Sequence, residues 1–168
     1  GANKDRDFCK GLKILEEKNL KKSDFILNLG LNEGEAVSKY TRILNEAAKM
    51  SLLMICVNPD LEVIRGKKKE ICAGSLALKY EELGGKVKYF GKPHIEIYKK
   101  TIKKIKIRNK NKILAIGDSL RTDILGANNF QIDSALVLSG INGKIKEIEK
   151  ICKKTNIYPK FLFNTLKW

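Results

Sequence analysis

From Asp24 to Phe163 short apolar runs alternate with helix-length amphipathic stretches, and this rhythm restricts the fold more than any other feature. Residues 24–30, 51–57, 86–90, 112–116, 134–138 and 161–163 read as strands. Between them, residues 36–49, 73–83, 94–105, 122–130 and 143–154 place apolar side chains three and four apart, as helices do. Strands regularly separated by helices predict a parallel, doubly wound α/β sheet. Residues 61–65 and 70–71 are two further short pieces around a basic turn at Gly66-Lys67-Lys68-Lys69. Punctuation agrees with this rhythm. Pro59 blocks continuation of the strand before it, and Gly84-Gly85 stops the helix before them. Thr122 is the expected N-cap of its helix. Upstream, residues 8–19 predict a short helix with Leu12, Ile14 and Leu15 on one side.

The 168 residues suffice for one domain or for two small lobes. No apolar run reaches membrane-spanning length, so no membrane partner is expected. Gly1-Ala2-Asn3-Lys4-Asp5 lacks the apolar stretch of a secretory signal. Cys9, Cys56, Cys72 and Cys152 are scattered, and His94 is the one histidine, which argues against structural zinc. Reduced thiols, with Cys56 inside an apolar run, imply a reducing, cytoplasmic compartment. The net charge of +15 admits a nucleic-acid partner. Lysine exceeds arginine, however, and the lysines are spread along the sequence, so compositional bias is the favoured explanation. A basic surface would in any case steer phosphorylated small molecules.

Two places carry chemistry. The apolar strand Ile113-Leu114-Ala115-Ile116 ends in Gly117-Asp118, and Asp123 opens the following helix. Ligands of open parallel sheets bind beyond the carboxyl ends of strands, where Asp118 stands. Two carboxylates there suit a hard cation such as Mg²⁺. The bland alternative is that Asp123 only complements the helix dipole. Lys92 also follows a strand, between Gly91 and Pro93, where an ammonium can face phosphate or offset the carboxylates. His94 reads as a surface residue at a helix start, and Tyr158 and Trp168 as terminal packing groups.

Gly91-Lys92-Pro93, then Ile116-Gly117-Asp118-Ser119-Leu120-Arg121-Thr122-Asp123-Ile124-Leu125-Gly126-Ala127, resembles the third and fourth motifs of the haloacid dehalogenase (HAD) superfamily. Asp133-Ser134-Ala135-Leu136-Val137-Leu138-Ser139-Gly140 continues the likeness. Val57-Asn58-Pro59-Asp60 is similar to the cap signature of the class IIA branch, which holds nitrophenyl-phosphatase-like and NagD-like enzymes. The resemblance implies a Rossmann-like HAD core, here partial, with a partial α/β C2-type cap. Residues 1–90 would be the remainder of the cap and residues 91–168 the C-terminal half of the core. It implies Asp118 and Asp123 at a Mg²⁺ site and Lys92 steadying nucleophile and phosphoryl group, with Asn58, Asp60 and Lys92 towards substrate. The implied reaction is attack of an aspartate on a phosphate monoester, followed by hydrolysis of the aspartyl-phosphate.

The family's first motif, Asp-x-Asp after an apolar strand, has no counterpart. Asp5-Arg6-Asp7 matches in letters, but no apolar strand precedes it and Phe8-Cys9-Lys10-Gly11 does not continue the pattern. The expectation is a truncated or split phosphatase chain, inactive alone and with weak or no Mg²⁺ binding until a nucleophile-bearing half is supplied. That half could be a separate chain. An open sheet edge would also favour a homo-oligomer. The alternatives are a non-catalytic interaction module on an inherited fold and, less favoured, a basic nucleic-acid-binding protein.

Overall fold

The computed structural model describes residues 7–65, 68–107, 109–138 and 145–166. The chain divides into two units, Gly1–Phe90 and Gly91–Trp168.

In the first unit, β1 (Phe25–Asn28), β2 (Leu53–Cys56) and β5 (Lys86–Tyr89) form a parallel sheet in the order β1-β2-β5. Helices α1 (Thr41–Lys49) and α2 (Ala73–Glu82) make the crossovers. Register sets Ile26, Met54 and Val87 side by side, and likewise Asn28, Cys56 and Tyr89. These line the core with Leu44, Ala47, Leu76, Ala77 and Tyr80 from the helices. Period-two alternation turns Lys86 and Lys88 to the other, more open face. β3 (Glu62–Arg65) and β4 (Lys68–Ile71) form an antiparallel hairpin. Its turn residues 66 and 67 lie outside the described residues.

Tyr80 is fully buried, and its hydroxyl donates to the carbonyl of Leu52 at 2.5 Å. Gly85 leaves room for the Tyr80 ring, because a Cβ there would overlap it. Removing the hydroxyl strands a buried carbonyl. Tyr80→Phe should therefore lower stability by about 1–2 kcal/mol, read as a lower urea midpoint with an unchanged slope.

Glu35 organises the turn before α1. Its carboxylate accepts from the Asn32 amide at 3.0 Å, Lys39 Nζ at 2.5 Å and the Tyr40 hydroxyl at 2.5 Å. The Lys39 contact leads in lowering the Glu35 pKa to about 2, followed by Tyr40 and Asn32. Burial, then Glu35, raises Tyr40 to about 12. The folded pKa of Glu35 lies below its ordinary 4.5. The stabilisation it gives is complete above 4.5 and lost as pH falls through about 2. Urea midpoints of wild type and Glu35→Gln should differ at pH 5.5 and converge near pH 2.

In the second unit, β6 (Leu114–Gly117), β7 (Asp133–Val137) and β8 (Phe161–Phe163) are parallel in that order. Helix α3 (Ile95–Ile105) precedes β6. α4 (Leu125–Phe130) links β6 to β7, and α5 (Ile145–Thr155) links β7 to β8. Leu120, Ile124, Leu136, Ile148 and Cys152 form its core. On β6 and β8, Leu114, Ile116, Phe161 and Phe163 stay 41–43% exposed. Among the described residues β6 pairs with β7 alone.

Several local expectations fail for physical reasons. Residues 8–19 form no α-helix. Gly11 takes φ +81°, and Leu12 and Leu15 are 52% and 97% exposed, so most of the apolar side stays unpacked. The segment 36–49 begins as a 3₁₀ turn, Val37–Tyr40, and becomes α-helical at Thr41. β1 is half-buried at an edge of its sheet, with only Asn28 fully enclosed. Tyr158 is 51% exposed rather than packed. Trp168, the Ser139-Gly140 tail and the first residues of the 143–154 stretch lie outside the described residues.

Candidate functional site

β6 delivers Gly117 and Asp118 to the carboxyl end of the second sheet. The chain then enters a wide turn of π geometry, Leu120–Ile124, that leads into α4. Ser119, not Thr122, is the N-cap, and its Oγ accepts from the Thr122 amide at 3.3 Å. Its carbonyl accepts from the amides of Asp123 and Ile124 at 3.0 and 3.1 Å. Thr122 is instead buried inside the turn.

Asp123 ties this loop together. Its side chain is 8% exposed. One oxygen, Oδ2, accepts from the backbone amides of Asp118 at 3.2 Å and Ser119 at 3.1 Å. The other, Oδ1, accepts from Lys92 Nζ at 2.5 Å. A carboxylate near a helix N-terminus reaching back to the cap amide is the logic of a capping box, here one residue later because the turn is wide. The helix dipole adds to its stability. Gly117 makes the arrangement possible, since any Cβ there would overlap the Asp123 carboxyl group.

Lys92 arrives from the other side, in Gly91-Lys92-Pro93 at the foot of α3, and the Lys92–Pro93 peptide is cis. His94 is the N-cap of α3, half-buried, and uses no side-chain cap bond. Tyr98, one turn into α3, stacks on Phe130 at 5.5 Å between ring centroids. Its hydroxyl donates to the Asp123 carbonyl at 3.4 Å. Burial, then the charge of Asp123, raises its phenol pKa. Gly126 lies beneath this ring, and a Cβ there would strike the Tyr98 hydroxyl.

Lys92, Asp118 and Asp123 thus converge in one unit. Asn58 and Asp60 belong to the first unit, where they build a turn. Asn58 Oδ1 accepts from the Asp60 amide at 3.1 Å, and the Asp60 carbonyl accepts from the Gly74 amide at 3.0 Å. Gly74 allows that approach, since a Cβ would collide with the Pro59 and Asp60 carbonyls. Of Asp5-Arg6-Asp7, the first two residues lie outside the described residues, and Asp7 is an exposed partner of Lys10 at 3.7 Å. The sequence reading missed Ser119, Tyr98 and Gly126. Ser119 carried a usable signal, a serine three residues before the helical pattern. Tyr98 carried none beyond its helical spacing.

Among the described residues no group of three or more His, Cys, Asp or Glu converges as a cation site. The donor set at this strand end is the Asp118 carboxylate with Asp123 behind it. Mg²⁺ keeps several waters and is commonly held by one or two carboxylates plus substrate phosphate, so two carboxylates fit such an ion.

A HAD-hydrolase-like family model matches residues 89–167. That stretch spans the Lys92 segment, the Gly117–Asp123 loop and the strands that support them. The match makes residues 89–167 similar to the HAD-like hydrolases. No curated protein matches the chain. Among solved structures, a haloacid dehalogenase-like hydrolase from Brucella suis 1330 is similar at TM-score 0.85 and 27% identity, covering 99% of this chain and 64% of that one. A possible sugar phosphatase of the HAD superfamily from Cytophaga hutchinsonii is similar at TM-score 0.68 and 27% identity, with coverages of 92% and 56%. A 4-nitrophenylphosphatase from Thermotoga maritima, at TM-score 0.64, 24% identity and coverages of 90% and 55%, shares the fold. The chain therefore spans less than two thirds of each of these proteins. The HAD-like assignment agrees with the α/β architecture and parallel strands described above. No helix among the described residues is long and apolar enough to cross a membrane.

Proposed function

We propose that this chain supplies the Lys92, Asp118 and Asp123 portion of a Mg²⁺-dependent phosphatase site. The observation that carries this reading is the Asp123 carboxylate, held between Lys92 Nζ and the amides of Asp118 and Ser119. It fixes an ammonium on the loop that carries the strand-end residue Asp118. This suits a phosphoryl group, whose transfer depends on positioning and charge compensation more than on covalent work by the protein.

In this mechanism Lys92 donates hydrogen bonds to the phosphoryl oxygens and offsets their charge. Asp123 orients Lys92 and keeps the loop rigid. Asp118 would hold Mg²⁺, and Asp123, with both oxygens already accepting, would support that site by fixing the Asp118 and Ser119 backbone. The ion, when bound, would act as a Lewis acid towards the phosphate. The attacking aspartate would come from a segment carrying the Asp-x-Asp motif, in the same polypeptide or a separate one. We read residues 1–90 as cap and 91–168 as core. The Asn58 carboxamide and the Asp60 backbone serve their turn, so substrate contact from that loop would fall to the Asp60 carboxylate. The four cysteines form no disulfide with one another, which supports a reducing, cytoplasmic setting.

The test is hydrolysis of p-nitrophenyl phosphate. The 168-residue chain alone should show negligible turnover. Adding, or fusing, the unmatched third of the Brucella suis protein should restore Mg²⁺-dependent turnover. Asp118→Ala and Lys92→Ala should each abolish it. Turnover by the chain alone that survives Asp118→Ala would overturn the proposal.

A second reading, a non-catalytic interaction module, is favoured by one feature. Ile116, Phe161 and Phe163 share one sheet face and are exposed on either side of the buried Ala135 and Val137. A stable homo-oligomer with no activity in any mixture would favour it.

A further inference from the structure

Lysines and arginines divide equally between the units, 17 in each, but 13 of the 19 acidic residues lie in residues 1–90. Residues 91–168 hold 17 lysines and arginines against 6 acidic residues, a net +11 of the total +15. Within this unit the parallel strands point to the Asp118 end. The amino ends of β6 and β8 and the carboxyl halves of α3 and α5 therefore share the opposite end. There stand Lys103, Lys104, Lys106, Lys112, Lys153 and Lys154, all exposed. Among the described residues none of the six forms an ion pair. The carboxylate at that end, Asp133, is already paired with Lys160 at 2.7 Å. Cations at a helix C-terminus complement its dipole, but one or two per helix suffice for that. Like charges three or four apart, such as Lys99 with Lys103 and Lys100 with Lys104, weaken a helix. The cluster therefore lacks a purely structural rationale. Two aromatics flank Lys160 at the same end, Tyr158 at 51% and Phe161 at 43% exposure.

We infer that this end of the second unit, remote from Asp118, is a docking surface for single-stranded nucleic acid. Lysines offer point charges to the phosphates, and exposed rings offer stacking platforms that tolerate any base. The charges come from two helix ends and a loop, not from one amphipathic helix face, which favours a flexible polyanion over a planar lipid surface. The inference is independent of the phosphatase reading.

The test is fluorescence anisotropy of a labelled 20-nucleotide oligothymidylate with the full chain. Binding in the range of about 10⁻⁶–10⁻⁴ M is expected in moderate salt, with a log–log salt slope of about −3 to −4. The triple variant Lys103→Glu, Lys104→Glu, Lys106→Glu should weaken binding at least tenfold and flatten the slope by about 2. Lys18→Glu, Lys21→Glu, Lys22→Glu makes the same charge change in the first unit and should leave affinity within about twofold, if the site rather than net charge governs binding. Should the first triple fail to fold by circular dichroism, Lys153→Gln with Lys154→Gln serves instead. Tyr158→Ala should weaken single-strand binding and spare duplex binding. Equal loss in both triples, a preference for duplex, or binding only to phosphatidylserine vesicles would overturn the inference.

Discussion

Gly117→Ala should collapse the Lys92–Asp123 arrangement and cost the second unit about 3 kcal/mol, at the upper end of overpacking penalties. The added methyl group would occupy the space of the Asp123 carboxyl group. That carboxyl group is confined by its own turn, because Leu120, Thr122 and Ile124 are buried around it. It can leave only by surrendering the Asp118 and Ser119 amides and Lys92 together. Heat denaturation should show a second-unit transition lowered by roughly 12–24 °C, at 4–8 °C per kcal/mol for a unit of this size. Hydrogen exchange should lose protection at the Asp118 and Ser119 amides in particular. Gly126→Ala, which would displace Tyr98 instead, should leave those amides protected.

The second large effect is Asp123→Ala. Two loop amides and one ammonium then lose their acceptor. Lys92 is half exposed and can turn to water, so its share is discounted. The two part-buried amides dominate, and the expected loss is about 2–4 kcal/mol. Lys92→Met removes the ammonium but leaves the amides satisfied, so it should cost under ~1 kcal/mol. A double-mutant cycle separates these contributions. Unfolding in urea, followed by circular dichroism, should place Asp123→Ala well below Lys92→Met. Equal losses would mean that the ion pair, not the loop amides, holds the turn.

Much of this architecture was legible because periodicity and punctuation agreed. The runs before Asn58 and Gly117 were strands, and Gly84-Gly85 did end a helix. Gly91-Lys92-Pro93 and Gly117-Asp118 could be placed at strand ends from pattern alone. The site's internal logic could not. Whether Asp123 merely answered a helix dipole or bound the loop depended on a π turn, and local spacing does not announce that geometry. Tyr98 reads as an ordinary helix residue, because its meaning comes from Phe130 and Gly126, close in space but distant in sequence. Residues 8–19 mislead in the opposite direction. Their apolar side chains have helical spacing, but Leu12 and Leu15 stay exposed, and local propensity alone does not sustain so short a helix. The lysines teach the same lesson at larger scale, for cations spread along the sequence can fold into a unit with one basic end.

The proposed cation-binding half-site is the Gly117–Asp123 loop, organised by Asp123 and Lys92. Paramagnetic broadening by Mn²⁺, read on the ¹⁵N-labelled chain, tests it most directly, because even weak occupancy broadens nearby amides. Titration should broaden Gly117, Asp118 and Ser119 first, and Asp118→Asn should abolish the effect. Broadening centred on Glu33, Glu35 and Glu70, which line a separate pocket in the first unit, or broadening that survives Asp118→Asn, would contradict the account.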